Sequence, residues 1–362
     1  MKNLNIKKFS VFGIAGAVSL WLHGISSCLW IKDGPMLNSN RKYSSYMDKG
    51  KEKLYEVSCS GKPESSLTSG LTPYYVTGFS DAEASFTISR IKGRNGKAWP
   101  RLVFKIGVHI RDKDLLERIS LFFGVGKVYA DRSTSCQYIV QTISGLEAIV
   151  KHFETYPLIT QKRADFELFR QAFYLVLAKE HLTKEGFQRY LNLRATINNG
   201  NHFQDLLVEY PDTVKLPKPC IEHEGIIDPY WIAGFVDGDG CFRIKTRKCA
   251  TYKLGVSVNI GFILTQDIRD GVFMRSMEKY FNCGGYSIAT DGLSCEYHVY
   301  RLPDIIKTII PFFEKYPLQG VKRLDLADFI KAAKILQNKE HLTEEGYKKI
   351  LELKNGMNKS RK

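Results

Sequence analysis

Two hydrophobic rhythms alternate along the chain downstream of residue 71. Dense apolar stretches at Val76–Phe79 and Ile232–Phe235 follow Thr72-Pro73 and Asp228-Pro229. Each pair sets an N-cap residue before proline at the first helical position, so both stretches are expected to begin a helix. Within these helices Gly78 and Ala82, and likewise Gly234 and Gly238, lie four apart on a face without bulk. Two such helices could meet backbone to backbone. The period then falls to two. Leu102, Phe104, Ile106, Val108 and Ile110 alternate with Arg101, Val103, Lys105, Gly107 and His109. Further along, Leu254, Val256, Val258, Ile260 and Phe262 alternate with Lys253, Gly255, Ser257, Asn259 and Gly261. Phe242 and Ile244 against Arg243, Lys245 and Arg247 repeat the design, as Phe86 and Ile88 do against Thr87 and Ser89. Each run predicts a strand with one apolar face for helices and one polar, partly basic face. Helices are expected over 114–123 and 274–281, from Gly145 and Asp304, and after each Tyr-Pro, with strands around 138–142 and 297–301. The sum is an α+β domain with an antiparallel sheet, used twice.

The duplication is visible in the residues themselves. Val76-Thr-Gly-Phe-Ser-Asp-Ala-Glu-Ala84 and Ile232-Ala-Gly-Phe-Val-Asp-Gly-Asp-Gly240 share one pattern, an apolar run ending in two acids spaced by one small residue. Phe153-Glu-Thr-Tyr-Pro157 answers Phe313-Glu-Lys-Tyr-Pro317, and Lys162-Arg163 answers Lys322-Arg323. Lys179-Glu-His-Leu-Thr183 recurs as Lys339-Glu-His-Leu-Thr343, where His181 and His341 precede a threonine N-cap and are expected to serve the turn. The period is far too long for a solenoid unit, so a whole domain is duplicated. We place the domains at 71–201 and 227–362, joined by a proline-bearing connection at 202–226.

Charge narrows the partner. Lys and Arg outnumber acids 53 to 38, for a net charge of +15, the electrostatic footprint of a nucleic-acid binder, although a basic organellar protein would share it. With 362 residues and 44% hydrophobic content there is material for two cores. The eight cysteines contain no C-x-x-C pair, which leaves neither a zinc site nor a disulfide framework. Residues 1–70 have no counterpart in either repeat. Lys2, Lys7 and Lys8 precede an apolar stretch, Phe9 to Trp30, compatible with a targeting segment or with upstream sequence fused to the reading frame. Residues 38–70 read as a flexible linker.

A duplicated carboxylate pair in so basic a chain is the mark of metal-assisted chemistry on a polyanion. Together with Tyr-Pro-Leu and Lys-Arg in matching register, the two motifs resemble the LAGLIDADG homing endonucleases in their single-chain, two-motif form. That resemblance implies tandem αββαββα domains, a monomer with pseudo-two-fold symmetry, and sheets that form a saddle over the major groove of double-stranded DNA. It also implies that the motif helices deliver one acid each to the scissile phosphates. Here those acids would be Glu83 and Asp239, and they would hold the metal.

The chemistry agrees on its own terms. Phosphodiester hydrolysis needs an acidified water and a stabilised leaving oxygen, which divalent ions on paired carboxylates provide. Magnesium suits oxygen ligands and retained waters. A helix C-terminus disfavours negative charge by up to about 1 kcal/mol, so a cation is favoured at both acids.

By the same resemblance Lys162 and Lys322 match the basic residue beside the cleavage site, able to polarise water or stabilise the phosphorane. Gln266, with His109 as its counterpart, would organise water. Asp81 and Asp237 are expected to make structural hydrogen bonds rather than bind metal. Recognition would fall to Arg101, Lys105, Arg243, Lys245, Arg247, Lys253, Ser257 and Asn259, reading bases or phosphates of an asymmetric target about two helical turns long. One departure stands out: Ala84 occupies the place of Gly240. If that place needs positive φ, alanine costs about 1 kcal/mol and could displace Glu83. Three readings therefore stay open: a site-specific endonuclease, an intron RNA-binding maturase with weakened cleavage, and a non-catalytic DNA-binding protein. A mitochondrial setting follows from the resemblance alone.

Overall fold

The computed structural model describes residues 69–93, 98–200, 203–223, 225–358 and 361. The expected targeting segment and most of the linker before residue 71 therefore lie outside the described residues. The first repeat runs α1 (Pro73–Glu83), β1 (Ala84–Lys92), β2 (Ala98–His109), α2 (Lys113–Phe123), β3 (Lys127–Asp131), β4 (Ser135–Val140), α3 (Ile143–Thr155), α4 (Lys162–Leu177) and α5 (Lys184–Thr196). A short helix α6 (Phe203–Glu209) follows inside the connection. The second repeat runs α7 (Pro229–Asp239), β5 (Gly240–Lys248), β6 (Val256–Asp267), α8 (Gly271–Phe281), β7 (Gly285–Ile288) and β8 (Ser294–Val299). It closes with α9 over 302–315, which contains a π-turn at Ile305–Ile309, then α10 (Lys322–Gln337) and α11 (Glu344–Asn355).

Each sheet is antiparallel, with strand orders β1-β2-β4-β3 and β5-β6-β8-β7. The alternation decides the faces. Phe86, Ile88, Leu102, Phe104 and Ile106 are buried beneath α3 and α4, where Phe86 meets the rings of Phe153, Phe166 and Phe169. Phe242 meets Phe262, Phe313 and Phe329 in the same way. The motif helices join the two cores into one continuous apolar cluster.

Both motif helices begin as the caps predict. Thr72 Oγ1 accepts from Tyr75 N at 3.2 Å, and Asp228 Oδ1 from Tyr230 N at 2.8 Å. Their crossing depends on the missing side chains: a Cβ at Gly78 would lie 1.9 Å from Trp231 O, and one at Gly234 2.0 Å from Tyr75 O. One turn later a Cβ at Gly238 would lie 2.3 Å from that of Ala82, so only one partner of that pair has room for a methyl group.

Three expectations need correction. Lys253 and Leu254 lie in the turn before β6, because the strand starts only at Val256, so Lys253 is an exposed turn residue outside the sheet face. Ala84 carries no strain. Its φ of −81° matches the −75° of Gly240, and both are ordinary extended backbone. What Gly240 needs is space, since a Cβ there would fall 2.5 Å from Val236 Cγ1; at the equivalent place in the first repeat the smaller Ser80 stands beneath Ala84. His109 is the third, and its case belongs to the site.

Candidate active site

The helix contact delivers Glu83 and Asp239, the last residues of α1 and α7, side by side and half-buried. Glu83 Oε1 lies 3.4 Å from the position a Cβ would take on Gly238. Burial, and next the charge of Asp239, push the Glu83 carboxyl above its usual range, outweighing the pull of Lys322 and Lys162. Asp239 has a partner that Glu83 lacks: its Oδ2 accepts from Gln266 Nε2 at 2.6 Å.

Strand register shows why only one acid has such a partner. Gly240 pairs with Leu264 and Ala84 with Ile106, so the residue equivalent to Gln266 is Val108. His109 instead matches Asp267. Each caps a 3₁₀ turn, His109 Nδ1 accepting from Arg111 N and Asp267 Oδ1 from Arg269 N. A slip of one residue moves a side chain to the opposite face of a strand, and His109 therefore lies on the polar face with Lys105. The expectation that it mirrors Gln266 fails for that reason.

Both lysines reach the motif helices. Lys162 Nζ donates to Ser80 O (3.2 Å) and Ala82 O (2.9 Å), and Lys322 Nζ to Val236 O (2.9 Å) and Gly238 O (2.6 Å). A cation here satisfies Ala82 O and Gly238 O at the helix ends, adds a second donor to Ser80 O and Val236 O, and offsets the negative end of the dipole, which makes a carboxylate in the last turn tolerable. Burial lowers both ammonium pKa values, while the surrounding acids raise them.

Asp81 and Asp237 are each held by two hydrogen bonds from their own repeat and one that crosses from the other. Asp81 accepts from Trp231 Nε1 (2.9 Å), Ile159 N (2.8 Å) and Thr160 Oγ1 (2.6 Å); Asp237 accepts from Tyr75 Oη (2.6 Å), Gln319 N (2.6 Å) and Gly320 N (2.8 Å). Burial pushes the Asp81 carboxyl up to about 6 and also raises that of Asp237. Tyr75 and Trp231 were not foreseen as partners, although their equivalent places after the two prolines were legible.

The polar sheet face is continuous in the second repeat. Register sets Arg247 opposite Ser257, Lys245 opposite Asn259 and Arg243 opposite Gly261, with Arg243 also donating to Tyr300 Oη at 3.2 Å. In the first sheet Arg101 pairs with Ser89 and Lys105 with Ser85, and exposed Arg101 donates to Gln141 at 2.9 Å. The outer hairpins extend these faces with Lys127, Tyr129, Gln137, Glu296 and His298. Sequence reading passed over them, although Cys136, Tyr138 and Val140 alternate with Gln137 as plainly as any strand of the chain.

Comparison with known proteins meets this geometry. The family model described as LAGLIDADG endonuclease matches residues 76–173 and 232–333, more than half of the chain. A Neurospora crassa protein called "probable intron-encoded endonuclease 2" is 36% identical over 81% of this chain and 66% of its own length. The same organism's "probable intron-encoded endonuclease 3" is 32% identical over 77% of this chain and 53% of its own. The chain thus spans between about half and two-thirds of these relatives. Among solved structures, the LAGLIDADG homing endonuclease I-GzeII in complex with its DNA target is 35% identical, with a TM-score of 0.76, over 81% of this chain and 100% of that one. I-SmaMI bound to uncleaved DNA in the presence of calcium ions is 37% identical, with a TM-score of 0.77, over 80% of this chain and 99% of that one.

Proposed function

The chain belongs to the LAGLIDADG endonuclease family, and from that premise we propose that it is a divalent-metal-dependent, site-specific endonuclease. Its substrate would be a long, asymmetric DNA duplex, with one strand cut beside Glu83 and the other beside Asp239. The observation that carries this reading is the side-by-side delivery of two helix-terminal carboxylates by helices in backbone contact. Two lysine ammoniums, held by main-chain carbonyls, stand close enough for their charge to favour the ionised acids.

The donor set suits a hard cation. No cluster of three His, Cys, Asp or Glu occurs among the described residues, so the protein would give an oxygen ligand from each acid and leave the other positions to phosphate oxygens and water. Magnesium, when bound, would acidify a water and stabilise the departing oxygen. Around it, Glu83 and Asp239 hold negative charge at fixed points, and Lys162 and Lys322 lend positive charge to the pentavalent phosphate. Gln266 fixes the rotamer of Asp239 through its amide hydrogen bond. Arg101, Lys105, Arg243, Lys245, Arg247, Ser257 and Asn259 present donors to the groove, Lys253 a flanking phosphate contact, and the unlike halves give an asymmetric site. We place the working repeats at 71–201 and 227–362, with 202–226 as their connection, and a mitochondrial setting fits relatives such as a Podospora anserina protein of ND4 intron 1.

The test is cleavage selection. The full chain is incubated with magnesium and a randomised duplex library, alongside Glu83→Gln and Asp239→Asn variants. Defined breaks that vanish with EDTA and in both variants, while DNA binding persists, are the expected result. Binding of intron RNA without any cleavage would replace this reading with the maturase one.

A further inference from the structure

The tripeptide Ile-Arg-Asp occurs twice, as Ile110-Arg111-Asp112 and Ile268-Arg269-Asp270, each time as the 3₁₀ turn that ends the second strand of a repeat. Asp112 and Asp270 stand where an N-cap for the following helix is expected, yet neither side chain caps it. Both reach into the other repeat instead. Asp112 Oδ1 accepts from Val321 N at 2.7 Å, and Asp270 Oδ1 accepts from Gln161 N at 2.8 Å. Those amides immediately precede Lys322 and Lys162. The contact to residue 320 is tight: a Cβ on Gly320 would lie 2.9 Å from both Asp112 Oδ1 and Asp237 Oδ1. The arginines add a second cross-repeat tie, Arg111 donating to Asn358 O at 3.4 Å and Arg269 to Asn199 Oδ1 at 3.2 Å.

These ties bear on the chemistry through their location. One concavity is lined together by Glu83, Val108, Asp112, Val321 and Lys322, so an acid of the first repeat faces a lysine of the second. The half-site on the Glu83 side is therefore built from both repeats, and the matching hydrogen bond from Asp270 gives the other side the same cross-repeat tie.

We propose that Asp112 and Asp270 are positioning residues, each setting the catalytic lysine of the opposite repeat and thereby controlling cleavage of one DNA strand. The proposal rests on the endonuclease reading above. It adds that the two strands are governed by different cross-repeat hydrogen bonds, Asp112 with Lys322 and Asp270 with Lys162.

The experiment measures nicking of each strand separately, on an end-labelled duplex carrying the selected target, with magnesium and the full chain. Lys322→Met and Lys162→Met first establish which strand each lysine serves. Asp112→Ala is then expected to slow the Lys322 strand by about tenfold, the scale of a small misplacement of a catalytic group, and the other strand by less than about twofold. Asp270→Ala is expected to show the opposite bias. Asp112→Asn keeps an oxygen acceptor and should restore the lost strand relative to Asp112→Ala. Asp112→Ser, whose hydroxyl is too short to reach Val321 N and suits the first turn of α2 as an N-cap, should reproduce the bias even if the alanine variant fails to fold. Equal loss on both strands, or a bias matching the wrong lysine, would overturn the assignment while leaving the nuclease reading intact. A wild-type chain that cuts neither strand would remove both.

Discussion

A methyl group moved from one motif helix to the other tests the contact on which the whole site depends. In Gly238→Ala the new Cβ would fall 2.3 Å from that of Ala82. Aliphatic carbons settle at about 3.5–4.0 Å, so the helices must part by roughly 1.5 Å at that turn. At Gly78 the obstacle is main chain, with Trp231 O only 1.9 Å from the added atom, and no side chain can turn aside. Replacing a helical glycine gains about 1 kcal/mol of propensity, whereas overpacking costs about 1–3 kcal/mol, or more against backbone. Gly78→Ala should therefore lose about 2 kcal/mol net, lowering Tm by about 4–8 °C. Gly238→Ala should lose about 1 kcal/mol, and the swap Ala82→Gly with Gly238→Ala should recover most of it, because one methyl again occupies one space and the propensity changes cancel. Glu83 supplies a second readout. Its Cγ lies 3.1 Å from the Cβ position on Gly238, so the swap should regain stability yet still cut the Glu83-side strand slowly. Urea unfolding followed by tryptophan fluorescence, paired with strand-resolved cleavage, measures both. A Gly78→Ala chain as stable as wild type, or a swap no better than Gly238→Ala alone, would refute backbone contact between these helices.

Three further outcomes are expected. Ala84→Gly should leave cleavage unchanged and lose about 1–2 kcal/mol of stability, because the position is extended, so glycine adds freedom to the unfolded chain and gives up a buried methyl; a gain in first-strand nicking would revive the idea of a strained first site. Gln266→Leu should slow the strand served by Asp239 by about tenfold and spare the other, since Val108 already does without the amide; equal slowing of both strands would contradict that asymmetry. Asp81 gives a pH signature. Its folded pKa is raised from 3.8 to about 6, so its contribution to stability is fully present below about pH 4 and lost as pH rises through 6, by an amount on the order of 3 kcal/mol. Against Asp81→Asn, which cannot titrate, the wild-type advantage in urea midpoint should narrow between pH 4 and 7. A widening gap would mean that the ionised carboxylate is the preferred form.

Much of this protein was settled by local pattern. The period-two runs fixed which strand faces are buried, the Thr-Pro and Asp-Pro pairs fixed where the motif helices start, and the repeated glycines announced a close helix contact. All depend on residues near in sequence, where spacing alone dictates direction. The pair of acids that ends each motif helix was legible for the same reason, whereas the choice of Glu83 and Asp239 among them rested on the family resemblance. Tertiary structure decided what joins one repeat to the other. Whether His109 or Val108 answers Gln266 depends on strand register, which cross-strand pairing sets and a single-residue misreading inverts. Asp112 and Asp270, and Asp81 and Asp237 through Trp231 and Tyr75, find partners in the opposite repeat more than a hundred residues away, and a carboxylate carries no sequence mark of the donor it will accept from. The duplicated Ile-Arg-Asp was the one written hint of those bonds, and only the folded chain gives it meaning. Ala84 shows the same division, because the room for its methyl comes from Ser80 standing where the other helix has Val236.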